Sequence, residues 1–221
     1  MKRTLLALSC LGALSAAQAQ PAGAWLIQGG LTRIAPQVGS GNLSAPSPVG
    51  TQVDVGADTR VTGQLTYIYD RNWAVAVPLG TGFKHKLYGA GAISNTGQIG
   101  TVTALPISVF GQYRFGASND KVRPYAMLGL NYVRFDDAQG SAALNGLNPA
   151  NPVGGRTGLS VESRWAMSPG LGVSVQLDDK WFVDLSWAKT LLKTTTTLST
   201  GQTINTTLNP SVTTLSIGTR F

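Results

Sequence analysis

His85 is the one histidine of the 221-residue chain, and it stands between Lys84 and Lys86. An imidazole beside a serine can carry protons in hydrolysis, so Ser94 raises the question of a catalytic pair. No nucleophile motif surrounds Ser94, and the chain reads as a non-enzyme. The two ammonium groups flanking His85 suit a simpler task, the binding of phosphate oxygens. A second group of candidates is Gln112, Glu162, Arg164 and Asp184, polar side chains set among apolar neighbours. They can satisfy one another as an internal network of hydrogen bonds and ion pairs, or they can touch a solute. A third group, Phe110, Phe182, Leu192, Pro106 and Pro78, offers no reactive atom and only an apolar surface. No metal cluster, phosphate loop or nucleotide fingerprint is present, so no cofactor is expected.

The segments that carry these residues alternate. In Thr213–Phe221, Leu215, Ile217, Thr219 and Phe221 fall on one face and Thr214, Ser216, Gly218 and Arg220 on the other. Period two is the mark of a half-apolar strand. The same pattern runs through 25–34, 59–69, 73–79, 102–115, 124–135, 159–177 and the stretch from Trp181 to Trp187, so eight strands are expected. Between them the connections alternate in length. Segments 37–57, 89–100, 136–158 and the Thr/Asn-rich stretch after the seventh strand read as long loops, whereas Asp70-Arg71-Asn72 and Asp178-Asp179-Lys180 read as tight turns.

The amino terminus adds a compartment. Met1-Lys2-Arg3 is a basic head, Thr4 to Ala17 an apolar run, and Ala17-Gln18-Ala19 a cleavage site, which together predict a secretory leader over 1–19 and a mature chain over 20–221. The leader would take with it Cys10, the single cysteine, and the charges of Lys2 and Arg3, lowering the formal charge from +7 to +5. The remaining cations are scattered singly, which suits anionic surface lipid and not a nucleic acid. Charged residues make up 12% of the chain, about half the usual share, and no interior run is long enough for a spanning helix. An exported chain of alternating strands with short turns at one end and long loops at the other predicts an all-β, eight-stranded antiparallel up-and-down barrel in the outer membrane. Trp25, Tyr69, Trp73, Phe115, Tyr125, Trp181 and Phe221 gather at the short-turn end as an interfacial girdle; Phe83, Tyr132, Phe135, Trp165 and Trp187 form a second one.

Three stretches resemble the OmpW family of small outer-membrane proteins: Thr81-Gly82-Phe83-Lys84-His85-Lys86, Thr101-Val102-Thr103-Ala104-Leu105-Pro106, and Arg123-Pro124-Tyr125 with Gly129-Leu130-Asn131-Tyr132. The family carries T-P-F-R/K-H-K, T-V-x-x-L-P-P and R-P-Y-x-x-x-G-x-N-Y in that order. Gly82 and Ile107 stand where it usually has proline, and Pro78 stands where relatives can carry a bulky apolar residue. The resemblance implies a narrow, partly apolar lumen that admits small hydrophobic molecules, in a family whose members accompany alkane and aromatic degradation. The chain's ending resembles the carboxy-terminal signature of bacterial outer-membrane barrels, which implies that Phe221 is a tag read by the barrel-assembly machinery. Lys84, His85 and Lys86, near the outer rim, are expected to bind lipopolysaccharide phosphates or simply to cap the rim.

A barrel of this size has an interior that side chains can fill, so an open aqueous pore is not expected. The apolar inward residues point instead to a greasy path. Pro78 and Pro106 fall on neighbouring strands, each removing a ladder donor, which predicts a weak seam between strands three and four, either a lateral exit or a local bulge without transport meaning. The rival expectation is a closed structural barrel whose loops at 37–57 and 136–158 contact outside partners.

Overall fold

The computed structural model describes residues 22–147 and 157–221; the expected leader lies outside them, as does part of the 136–158 loop. Eight antiparallel strands close into a barrel. The first strand runs Trp25–Ala35 and is continued by Gly39–Ser40; the second is Thr51–Val55 with Asp58–Ile68, and the third Trp73–Gly80 with Phe83–Gly91. The fourth is Gln98–Arg114, the fifth Val122–Gly140, and the sixth Leu159–Val161 with Arg164–Gln176. The seventh is Trp181–Lys189 with Lys193–Leu198, and the eighth Thr203–Thr207 with Ser211–Arg220. Each pairs with its neighbour in sequence, and the first closes on the eighth from Leu26↔Arg220 to Ala35↔Ser211. At the short-turn end Trp25 and Phe221 exchange two backbone hydrogen bonds. No sheet edge is left there for another chain to pair with.

A broad band of apolar side chains faces outward. Ile27, Leu31, Val61, Val75, Val77, Leu79, Ile107, Val109, Leu128, Leu130, Met167, Leu171, Leu185, Leu215 and Ile217 are all exposed. In water such a belt would be an aggregation surface; in a bilayer it is the solvated face. Trp25, Tyr69, Trp73, Phe115, Trp181 and Phe221 border the band at the short-turn end, and Trp165 with Trp187 at the other. Three expected girdle members point inward instead. Tyr125 and Phe83 are buried and Phe135 packs into the interior, because strict alternation from Ala126 and Lys84 places them on the lumen side.

The strands run well past the band, which corrects the expected loops. The Thr/Asn-rich stretch is a hairpin, with Lys193–Leu198 paired to Thr203–Thr207, and the segment 37–57 contributes Thr51–Val55 to the sheet against Phe83–Gly91. The 89–100 connection belongs to the flanking strands apart from one turn of 3-10 helix at Ser94–Thr96. Beyond the bilayer, Thr-rich strands need no apolar face towards lipid, so they carry no hydrophobic alternation. The sixth strand breaks at Glu162 and Ser163, which reverses its parity. Leu159 and Val161 therefore pack inward against the upper cluster of Leu87, Ile93, Ile99, Val102 and Leu144, not outward as the unbroken alternation predicts.

Candidate functional site

The barrel interior is stacked in three levels. The lowest is an apolar floor of Ala24, Leu26, Ile68, Ala74 and Phe182. Phe182 lies one position beyond the start of strand seven, directly after a tight turn, and its ring fills the space over Gly218, where a Cβ would come within 2.5 Å of it. Sequence reasoning placed Phe182 along a conduit; the structure makes it part of the floor and not of the cavity wall.

Above the floor lies a buried polar layer. The Tyr125 hydroxyl donates to Asp184 at 2.8 Å and the Ser174 hydroxyl to its other oxygen at 2.5 Å. Arg114 donates to Ser174 at 2.8 Å and to Gln112 at 3.2 Å, and its guanidinium lies 5.2 Å from the Tyr125 ring centroid. Each of Arg114, Gln112, Tyr125, Ser174 and Asp184 is at most 3% exposed. Gln28 and Ser216 bond each other at 2.9 Å on the same side of the lumen. Hydrogen bonds within the layer satisfy most of its own groups. Gly172 makes room for it, since a Cβ there would meet the Tyr125 ring at 2.2 Å.

Of the four residues expected in this network, Gln112 and Asp184 are in it. Glu162 and Arg164 are not: they pair with each other at 2.5 Å, half exposed, beside the break in the sixth strand. Arg114, Tyr125 and Ser174 are members beyond those four. Arg114 was legible as the inward residue between outward Tyr113 and Phe115; Tyr125 was hidden by the habit of assigning aromatics near a turn to the girdle.

The third level is a cavity of about 220 Å³ that opens towards the long-strand end. Phe110, Pro78, Pro106 and Leu192 all line it, together with Leu105, Leu79, Val55 and Leu208. Phe110 lies over Gly129, whose missing Cβ would sit 2.4 Å from the ring. Leu192 is packed among Ala104, Val133, Ala166 and Leu208.

The cavity wall has one discontinuity. Strand three pairs with strand four from Trp73↔Tyr113 to Ala76↔Phe110, then again from Phe83↔Ala104 upward. Between these, Val77 to Gly82 and Leu105 to Val109 face each other without ladder pairs, and the register slips by one residue across the gap. Arg114 donates to the Asn72 carbonyl across this seam, so alternation along each strand aims the backbone of Pro106 and of Pro78 at the same seam. Both prolines thus lack a donor where one is needed. Strand four stays continuously paired to strand five over the same residues.

The Lys84-His85-Lys86 run is divided by the pleat. Lys84 and Lys86 point outward above the apolar band, but His85 is 3% exposed and lines the cavity, with Nδ1 donating to the Gly56 carbonyl at 2.7 Å. A rim ligand for phosphate is therefore ruled out for His85 by the strand's period of two. It bonds Gly56 and makes no contact with Ser94, which is exposed. Burial is the main effect on its imidazole and holds the pKa below the ordinary 6.5, partly offset by the Gly56 carbonyl and Asp58. A depressed folded pKa means stability that is full above 6.5 and falls as the pH drops through and below that value, when the unfolded chain takes up a proton more readily. Protection of the Gly56 amide, which donates to Lys86, measured against the exchange of free peptide at the same pH, is expected to fall below pH 6.5, and His85→Gln to flatten that dependence.

Fold and interior together define an integral β-barrel of the bacterial outer membrane with a closely packed lower half and an apolar upper cavity. The chain belongs to the OmpW family, whose family model matches residues 21–221. It is 29% identical over 229 residues to outer membrane protein W of Vibrio cholerae, covering 100% of both chains. It is 24% identical, again over 100% of both, to the dibenzothiophene metabolism operon protein PahQ of Pseudomonas aeruginosa. The crystal structure of the outer membrane protein OprG from Pseudomonas aeruginosa matches the fold with a TM-score of 0.80 at 21% identity, covering 92% of this chain and 98% of that one.

Proposed function

We propose that this barrel admits small hydrophobic molecules passively into its upper cavity and releases them sideways into the bilayer between strands three and four. The observation that carries the reading is the unpaired window at Val77–Gly82 and Leu105–Val109, which lies in the wall of an apolar cavity whose downward path is blocked. A solute leaving through it trades one apolar environment for another and avoids the polar layer. The relative PahQ is a dibenzothiophene metabolism operon protein, and dibenzothiophene is an apolar aromatic, the class of solute the cavity suits. Lys84 and Lys86, exposed above the band, are the groups offered to lipopolysaccharide phosphates, and Phe221 is the tag offered to the assembly machinery.

The test is the initial uptake rate of a labelled small aromatic, against a sugar of similar size, in cells with and without the protein. The aromatic alone is expected to enter faster. The variant Pro78→Val with Pro106→Val restores two donors to the seam, each worth about 0.5–1.5 kcal/mol when bonded. It is expected to slow the aromatic several-fold with no loss of folded barrel. Unchanged uptake would remove the lateral exit; acceleration of both solutes would mean a wet pore, and of neither, a closed structural barrel.

A further inference from the structure

Resting on the reading above, the cavity has one feature that a purely hydrocarbon solute would leave unused. His85 is fixed by its Nδ1 bond to Gly56, and because a carbonyl only accepts, the proton sits on Nδ1. Nε2 is then an acceptor. Among the described residues it has no hydrogen-bond partner, and the ring lies in the cavity wall between outward-facing Lys84 and Lys86. Its charged neighbours, Asp58 and Arg60, are bound to each other at 2.7 Å and so do not occupy it. Nε2 is not enclosed but open to the cavity, unlike the Thr206 Oγ1, which is fully buried without a partner. An acceptor open to an apolar cavity is bonded only when something that enters supplies the donor.

We propose that His85 is a hydrogen-bond acceptor for the transported solute, so that the cavity favours apolar molecules carrying a hydroxyl donor, phenols above all, over the parent hydrocarbon. Burial keeps the imidazole neutral and hence able to accept. The apolar body of the solute rests against residues such as Val102 and Leu87 while its hydroxyl meets Nε2.

Because the chain has a single histidine, its ring nitrogens give unambiguous signals in a 15N-histidine-labelled barrel in lipid bilayers. Titration with 1-naphthol is expected to shift the Nε2 resonance, and naphthalene to leave it nearly in place. In cells, His85→Phe is expected to lower the uptake ratio of 1-naphthol to naphthalene by about 3–10-fold, the effect of one neutral hydrogen bond. His85→Gln, which keeps an acceptor, should restore part of it. An Nε2 signal unmoved by 1-naphthol, with an unchanged uptake ratio in His85→Phe, would overturn the assignment while leaving protein-dependent uptake of naphthalene intact. Absence of any protein-dependent uptake would instead strike the conduit reading, and the naphthol titration would still decide the role of His85.

Discussion

Asp184→Leu is expected to lower the stability of the folded barrel by about 3–5 kcal/mol, the usual cost of leaving a buried charge without its counterpart. Asp184 accepts from Tyr125 and Ser174, and through Ser174 it balances Arg114, whose guanidinium is 2% exposed. Without the carboxylate, Arg114 keeps hydrogen bonds to Ser174 and Gln112 but sits as an isolated cation in a dry interior. Its Nε already lacks a partner. The measurement is the denaturant midpoint of the barrel in lipid vesicles. The double variant Asp184→Leu with Arg114→Leu is the decisive companion, because removing both charges leaves only neutral groups, the Tyr125 and Ser174 hydroxyls and the Gln112 amide, to be re-satisfied. It should recover most of the loss. If the single variant lost less than about 1 kcal/mol, the polar layer would be wet and would no longer serve as a seal.

That layer also shows what could be read from residues alone. Eight strands and a closed barrel were legible because lipid on one side and a packed lumen on the other force period two, and that pattern is local. Membership of Gln112 and Asp184 followed from the same parity. Glu162 departs from the expected face because parity is only as good as the strand is continuous, and nothing in the run Leu159 to Leu177 announces the break at Ser163. Arg164 keeps the parity of Ala166 but stands at the strand's end, where it pairs with Glu162 and not with the buried layer. Phe182 was assigned to the right face but the wrong height. Height in a barrel depends on register, and register depends on pairs distant in sequence, such as Phe182↔Gly218. The strand extensions beyond the membrane were missed for a different reason. A segment such as Lys193–Leu198 is polar on both faces, and only its partner Thr203–Thr207 makes it a strand. The seam was half legible: two prolines on adjacent strands could be seen, but that their missing donors converge on one gap needed the alternation fixed by Asn72 and Arg114.

The height of Phe182 separates two routes that a rate measurement on intact cells can tell apart. Phe110→Asp puts a carboxylate into the cavity wall next to the seam, on the inward face of strand four just below the unpaired window. An apolar solute passing it must displace the water that solvates the charge, at a cost of several kcal/mol, and 1.4 kcal/mol is tenfold in rate. Uptake of a small aromatic is expected to fall at least about 10-fold. Phe110→Leu keeps the wall apolar and should stay within about threefold. Phe182→Ala removes a ring from the floor, which should cost about 3–5 kcal/mol of stability through the cavity it leaves. Provided the folded amount is matched, it should leave uptake unchanged, because the floor is not on the path. The opposite result, uptake insensitive to Phe110→Asp but altered by Phe182→Ala, would mean that solutes pass down through the lumen into the periplasm, and the seam would then be only a local irregularity of the wall.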